Sequence, residues 1–200
     1  MIKTTAMLLD GLKDYSYPSN KLARMVSRDD VFRVVRGLYV DDNATPGYLL
    51  AASIYGPSYL SFDYALSYWN LIPEAVYTYT SATYDKKKKK QFKTDFGLFT
   101  YRDIPRQVYP LGIRIVIEGK DVFFIADPEK ALCDKLYTIS PVANLQAFES
   151  LLFDDLRINY DKLFQLNIDD LMSLGLLYKT TNHKLLIKYL RKISKNKIID

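Results

Sequence analysis

The first forty residues carry apolar side chains at helical spacing. Leu22, Met25 and Val26 stand at positions i, i+3 and i+4, which predicts one buried stripe on a short helix. Pro18 suits the first turn of that helix, because the N–H that proline lacks would have no partner there. Ser16 precedes it and is expected to cap the helix.

A run with strand-like alternation follows this helix. Phe32 and Val34 fall on one face of residues 31–35, and Arg33 falls on the other. Arg36-Gly37 then predicts a tight turn, and residues 38–40 return as a second strand. Helix, turn and two-stranded ribbon together are the layout of a winged helix-turn-helix. We therefore expect a compact winged-helix DNA-binding domain over residues 1–42. Only about 17 residues precede the helix, whereas a standard module has two earlier helices, so this module is either compact as it stands or completed by another element.

The rest of the chain changes from a strand pattern to a helix pattern. Alternation over residues 76–81, 96–102, 111–119 and 121–127 predicts strands, the last two joined by a hairpin turn at Gly119-Lys120. Helical patterns follow over residues 128–139, 144–156, 160–166, 168–178 and 182–193. The sequence thus predicts an α+β fold, in which an antiparallel sheet precedes a C-terminal run of helices. The loop at residues 41–47 separates this second domain, 46–200, from the first.

Polar and cationic side chains occupy the face of the N-terminal helix opposite its apolar stripe, and arginines occupy the hairpin. Groups of this length reach phosphates or base edges when a helix lies in a DNA groove. An ordinary solvated surface is the alternative interpretation. The candidate DNA-binding residues are Ser19, Asn20, Lys21, Arg24, Arg28, Arg33 and Arg36.

Charge is unevenly distributed along a chain whose net charge is +5. Residues 1–40 carry seven Lys or Arg against four Asp, whereas residues 41–85 carry five acidic residues and no basic ones. The densest cationic run is a candidate polyanion-binding loop, expected to be solvated and mobile; its members are Lys86, Lys87, Lys88, Lys89, Lys90 and Lys93. A hairpin loop that is merely kept in solution by its charge is the favoured alternative.

Cysteine and histidine are too few for several kinds of site. One cysteine, Cys133, excludes an internal disulfide, and with a single histidine, His183, there is no zinc-finger set. We expect Cys133 to be a buried thiol and His183 to lie at the surface. The N-terminal apolar run is interrupted too early for a signal peptide, and no segment is long enough for a membrane span. The chain is expected to be cytoplasmic.

No catalytic constellation is recognisable, so the chain is predicted not to be an enzyme and to need no cofactor or metal. The eight glycines are scattered, and no H-E-x-x-H motif or Gly-Ser dipeptide occurs. Asp127, Glu129 and Asp134 come nearest to a metal-binding set, although Asp127 stands before Pro128, where helix capping is the simpler explanation.

Several blocks occur in an order that resembles one protein family. GPSYLSFDYALSYWNLIPE (56–74), TSAT (80–83), FGLFTYRDIP (96–105) and IADPEKALCDKLY (125–137) form the series, and RGLYV (36–40) and LRINYDKL (156–163) extend it. The series is similar to the AbiEi-like antitoxins of abortive-infection (type IV) toxin–antitoxin systems, which serve in phage defence. The resemblance covers nearly the whole chain.

That resemblance implies both a function and its partners. An N-terminal winged helix would bind inverted repeats in the promoter of its own operon and repress transcription. The second domain would counteract a nucleotidyltransferase-like toxin, without needing a stable complex with it. The oligomeric state is left open. The alternative is a protein-interaction module whose winged helix has lost DNA binding.

Overall fold

The computed structural model describes residues 1–196 and has a mixed α+β fold, as the sequence predicts. The strands are β1 (Ile2–Thr4), β2 (Phe32–Val35), β3 (Leu38–Val40), β4 (Tyr59–Leu60), β5 (Thr78–Thr83), β6 (Lys90–Thr94), β7 (Gly97–Asp103), β8 (Ile113–Glu118) and β9 (Asp121–Ala126). The helices are α1 (Thr5–Asp10), α2 (Pro18–Ser27), α3 (Gly47–Ile54), α4 (Phe62–Tyr68), α5 (Pro128–Tyr137), α6 (Leu145–Ser150), α7 (Tyr160–Gln165), α8 (Ile168–Tyr178) and α9 (Thr181–Asn196).

Residues 1–40 form a small unit of two helices and a three-stranded antiparallel sheet in the order β1-β3-β2. Its own core is the cluster Leu8, Leu12, Leu22 and Val31, onto which Met25 and Val26 pack. The predicted stripe on α2 is therefore confirmed, and so is Pro18 at its first turn. The predicted Ser16 cap is wrong, because Tyr17 holds the N-cap position and no side chain caps the helix.

The small sheet also joins this unit to the rest of the chain. Val34, Leu38 and Val40 are buried in the main hydrophobic core, not in the N-terminal one. Between the two lies an open cleft of about 560 Å³, whose lining includes Ile2, Pro46 and Val122. The unit is thus anchored through one face of its sheet, while α2 lies on the other side.

The main sheet has six strands in the order β6-β7-β5-β4-β9-β8. Its central pairs β5–β7 and β4–β9 are parallel, so the predicted antiparallel sheet is wrong and the sheet is mixed. The hairpin β8–β9, with its turn at Gly119-Lys120, is confirmed. The parallel pairs join strands that are distant in sequence, and alternation within a strand carries no information about their direction.

Helices cover the central strands of the main sheet. The hydroxyl of Tyr101 donates to the carbonyl oxygen of Ala51 in α3 at 2.7 Å, which fixes that helix against the sheet. α5 packs on α4, α8 and α9. A π-helical segment, Leu151–Asp155, continues α6. The predicted run of C-terminal helices is confirmed for α5 to α9.

Candidate nucleic-acid interface

The outer face of α2 is polar and open to solvent. At 100° per residue, Asn20, Arg24 and Ser27 fall opposite the buried Leu22, and all three are exposed. Nε of Arg24 donates to the carbonyl oxygen of Asn20 at 3.4 Å, and Oγ of Ser27 donates to that of Arg24 at 2.9 Å. Sequence reasoning missed Ser27, although its position four residues after Ala23 and three after Arg24 places it on this face.

The other predicted residues of α2 border this face. Ser19 and Arg28 are exposed, and Lys21 is half-buried. Nζ of Lys21 lies 5.3 Å from the centre of the Tyr15 ring, a cation–π contact that leaves its charge unneutralised. Arg28 follows the helix directly, and its backbone N–H donates to the carbonyl oxygen of Arg24 at 3.1 Å.

The two arginines of the hairpin occupy different surroundings. Arg36 is exposed at the turn, where the φ of 91° at Gly37 is a conformation that favours glycine. Arg33 is also exposed, but it lines a cleft together with Asp29 and Asp95. Arg36 thus stands free at the tip, whereas Arg33 faces neighbouring carboxylates.

The cations of this unit differ in whether they pair with a carboxylate. Among residues 1–196, none of the candidate cations forms an ion pair; they are Lys21, Arg24, Arg28, Arg33 and Arg36. Lys3 differs, since its Nζ lies 2.6 Å from a carboxylate oxygen of Asp41. Among the described residues, Arg24, Arg28 and Arg36 therefore form no ion pair and remain available to an anion. Arg33 differs from them, because it lines a cleft with Asp29 and Asp95.

Two exposed tyrosines extend this surface at the N-terminal end of α2. Tyr15 and Tyr17 are 50% and 72% exposed. Tyrosine hydroxyls contribute to phosphate contacts in protein–DNA complexes. The sequence carries a signal for them, since two large aromatic residues stand in an otherwise polar connection, but sequence reasoning had not used it.

The lysine run is more ordered than predicted. Nζ of Lys86 donates to the carbonyl oxygen of Gly56 at 2.9 Å and lies 5.0 Å from the centre of the Tyr55 ring. The backbone N–H of Lys87 donates to the Asp103 carboxylate at 2.6 Å. The start of the run is thus held against the main sheet.

The second half of the run belongs to a strand. Lys90 and Lys93 lie on β6, at one edge of the main sheet, so the prediction of a mobile loop over these residues is wrong. Lys88 and Lys89 are exposed before it. Lysines on an edge strand discourage pairing with another chain, which is a sufficient structural reason for their presence.

A buried polar network joins two of the sequence blocks that carry the family resemblance. The carboxylate of Asp134 accepts from Tyr59 at 3.0 Å, from Ser61 at 2.6 Å and from Nζ of Lys130 at 2.8 Å. The hydroxyl of Tyr178 donates to the same carboxylate and accepts from Lys130. Lys130 and Asp134 are both 0% exposed. The charged groups of the network are closed off from solvent, so the network is part of the core.

His183 and Cys133 lie beside this network. The ring of His183 stacks on Tyr178 with centroids 4.4 Å apart, and its Nε2 lies 3.0 Å from the carbonyl oxygen of Cys133. Since a carbonyl only accepts, Nε2 carries the proton, and Nδ1 accepts from the hydroxyl of Thr180 at 2.7 Å. The prediction of a surface histidine is therefore wrong, whereas the buried thiol of Cys133 is confirmed.

Burial sets the ionisation of these groups. It lowers the pKa of His183 to about 4, so the imidazole is neutral in the folded chain at pH 7. It also raises the pKa of Cys133 and of Tyr178, which keeps the thiol and the phenol protonated. For Lys130 burial lowers the pKa, and the neighbouring Asp134 carboxylate opposes that shift.

The three acidic residues considered as metal ligands make separate contacts. Asp134 is buried in the network, whereas Oδ1 of Asp127 lies 2.7 Å from Nε of Arg114. Asp127 occupies the N-cap position of α5, as predicted, although its side chain makes no capping hydrogen bond. A carboxylate of Glu129 accepts from the backbone N–H of Asn167 at 2.8 Å. Within residues 1–196, no group of three or more His, Cys, Asp or Glu is arranged to hold a metal ion.

Comparisons with known proteins leave the family unassigned. No protein-family model and no curated protein matches the chain. Over the described part of the chain, no helix combines the length and apolar character needed to cross a membrane.

Proposed function

We propose that this chain is a DNA-binding regulator whose N-terminal unit is a winged helix and whose biological role is that of an antitoxin. The single observation that carries the DNA-binding part is the set of exposed, unpaired arginines on α2 and at the β2–β3 turn. The antitoxin part, with its nucleotidyltransferase-like toxin as partner, rests on the family resemblance alone.

The order and pairing of the N-terminal elements support the winged-helix assignment. In a winged helix, a strand precedes the two helices of the helix-turn-helix and pairs with the hairpin that follows them. β1 precedes α1 and α2 here and pairs with β3 through the register Ile2↔Val40 and Thr4↔Leu38. On this assignment β1 would be the element that completes the short N-terminal segment, in which one helix, α1, precedes α2. On this assignment α2 is the recognition helix and the β2–β3 turn is the wing.

The distribution of charge supports DNA as the partner. Phosphate contacts come from Arg and Lys and from side chains such as Ser, Asn and Tyr, all of which surround the outer face of α2. Arg24 and Asn20 occupy the middle of that face, where a helix in the major groove meets base edges. Arg36 at the wing would contact the backbone beside the groove.

Binding to the DNA upstream of the chain's own reading frame tests the proposal. Fluorescence anisotropy with that duplex and with a scrambled duplex, at 50 and 200 mM salt, should show tighter binding to the first and steep weakening with salt. Arg24→Ala should weaken specific binding by about 5- to 100-fold if Arg24 contacts a base, the range for loss of such a contact. Arg36→Ala should weaken binding to both duplexes and lower the salt dependence by about one ion.

Arg106→Ala is the matched control, because Arg106 is an exposed arginine paired with Asp85 outside the N-terminal unit. It should leave both affinities unchanged. Equal affinity for the two duplexes would show that the chain binds DNA as a generic polycation, without sequence preference. If neither Arg24→Ala nor Arg36→Ala changes DNA binding but protection against the toxin persists, the alternative of a protein-interaction module is favoured.

A further inference from the structure

An apolar patch lies on the outer face of the hairpin β8–β9. Ile115, Ile117, Val122 and Phe124 are 57%, 70%, 53% and 46% exposed. The register pairs Ile115 with Phe124 and Ile117 with Val122, so all four side chains project from the same face. A contiguous patch of exposed apolar side chains marks an interaction site more often than a single exposed apolar residue does.

The patch continues to an open sheet edge. β8 is the last strand of the main sheet, and among residues 1–196 it pairs only with β9. The opposite edge strand, β6, carries Lys90 and Lys93, which protect it against pairing with another chain. β8 has isoleucine at 113, 115 and 117 instead. The two edge strands therefore differ, because the outward-paired positions of β8 are apolar whereas β6 carries lysines.

The hairpin geometry shows which backbone groups are free at this edge. The pair Glu118–Asp121 closes a two-residue turn, in which Gly119 has a φ of 63°. Such a closing pair exchanges hydrogen bonds, so alternate residues of β8, starting with Glu118, direct their N–H and C=O groups to β9. The backbone groups of Ile113, Ile115 and Ile117 therefore point outward from the sheet.

We propose that β8 pairs antiparallel with β8 of a second copy of this chain, about a two-fold axis at Val116. In that register Ile115 lies opposite Ile117, and each pair joins outward-pointing backbone groups. Arg114 lies opposite Glu118 twice, once on each side of the axis. The strand is thus complementary to itself in both hydrogen bonding and charge.

Neighbouring registers lose this complementarity. If the partner strand is shifted by two residues in one direction, Arg114 lies opposite Val116. If it is shifted by two residues in the other direction, Arg114 lies opposite Lys120, which has the same charge. The two charged side chains lie on the same face of β8, where Nε of Arg114 donates to Asp127 and the carboxylate of Glu118 accepts from Tyr68 at 3.0 Å. Charge therefore selects the register centred on Val116.

The second copy would cover the edge and extend the apolar patch, so that Ile115 of each chain would contact Ile117 of the other on the shared face. Strand pairing would place the patches of both chains side by side in one twelve-stranded sheet. In this register odd-numbered residues of β8 lie opposite odd-numbered residues of the partner strand, so their side chains project from the same face. A two-fold dimer would also present two N-terminal units, as inverted repeats require, but the inference stands without the proposed function.

Cysteine cross-linking of the full chain tests the register. Val116 directs its backbone groups to β9, so the two Val116 residues on the axis form a non-hydrogen-bonded pair. Directly opposed residues of such a pair have Cα atoms about 4.5 Å apart, within the range for a disulfide. Val116→Cys should therefore give a disulfide-linked dimer under mild oxidation. Ile115→Cys is the matched control: it is more exposed, but its counterpart in the partner lies beyond about 7 Å. Wild-type chain should not cross-link, because Cys133 is buried.

Sedimentation of the wild-type chain over a range of concentrations tests the dimer itself. A monomer–dimer equilibrium is expected, and Ile117→Lys should weaken it by about tenfold or more, since it places a charge in the apolar contact. Ile117 is 70% exposed in the single chain, so thermal unfolding of the variant monomer should be unchanged. A wild-type chain that stays monomeric, or Ile115→Cys cross-linking as fast as Val116→Cys, would overturn the inference. Because no DNA is present, this outcome is independent of the proposed function.

Discussion

The N-terminal unit and the main domain place positively charged side chains in opposite environments. Arg24 and Arg36 of the N-terminal unit are exposed and have no carboxylate partner among the described residues. Lys130 of the main domain is completely buried and is held by Asp134 and Tyr178. The first arrangement leaves cationic donors free for a ligand, whereas the second satisfies every charge within the core.

This difference separates binding from stability. An exposed charge contributes little to the free energy of unfolding, whereas a buried charge that loses its partner is strongly destabilising. Substitutions in the N-terminal unit should therefore change DNA affinity without changing stability. Substitutions in the network should do the reverse. The experiments below measure stability for buried groups and DNA affinity for exposed cations.

Removal of the buried carboxylate should have the largest effect. Asp134→Ala leaves the charge of Lys130 unpaired and removes an acceptor from Tyr59, Ser61 and Tyr178. We expect a loss of about 3–5 kcal/mol in the free energy of unfolding, the usual range for breaking a buried ion pair. Urea denaturation followed by circular dichroism would measure it.

The control removes both charges. Lys130→Met combined with Asp134→Leu should be markedly less destabilising than Asp134→Ala, since no isolated charge remains in the core. A loss below about 1 kcal/mol for Asp134→Ala, as found for surface positions, would contradict the structural role of this network.

Acid should have the next largest effect on stability. Burial lowers the pKa of His183 to about 4, below the ordinary value near 6.5, so the unfolded chain binds a proton more readily. Stability should therefore be full above pH 6.5 and fall by about 3 kcal/mol as the pH decreases to 4. Unfolding free energies measured at intervals across this range would show the slope.

His183→Gln isolates that contribution from the carboxylates, which also titrate in acid. The variant is expected to have lower stability at pH 7 but a flatter pH dependence between 6.5 and 4. The chain contains one histidine, so NMR titration of its ring resonances gives the pKa directly. A value near 6.5 would show that the ring is accessible to solvent and would contradict its buried position.

The lysine run should have the smallest effect. Lys88→Ala with Lys89→Ala removes two exposed charges beside an edge strand, far from α2 in the sequence. We expect DNA affinity to change by less than about threefold at moderate salt, with the same salt dependence as the wild type. A decrease of about two ions in the salt dependence would instead make this run part of the DNA interface.

Structural features that depend on only a few neighbouring residues can be predicted from the sequence. The start of α2 at Pro18 and the turns at Gly37 and at Gly119-Lys120 all depend on neighbouring residues, and the structure has each of them. β1 escaped prediction because three residues are too few to establish an alternation.

Features that depend on distant residues escaped prediction. Asp134 is 73 residues from Ser61 and 75 from Tyr59, and no local pattern indicates that α5 meets β4. The same holds for His183, whose partner carbonyl is 50 residues away at Cys133. For the candidate interface, the exposed cations of α2 were found by helical spacing, whereas Ser27 and the exposed tyrosines were not.

Mapping the DNA contact onto individual residues tests the central claim most directly. NMR spectra of the isotopically labelled chain, recorded while its upstream duplex is added, would show which backbone amides change. We predict the largest changes over α2 and the β2–β3 turn, with those of α5 unaffected. Changes confined to residues 86–93 or to α9, with none in α2, would contradict the assignment of α2 as the recognition helix.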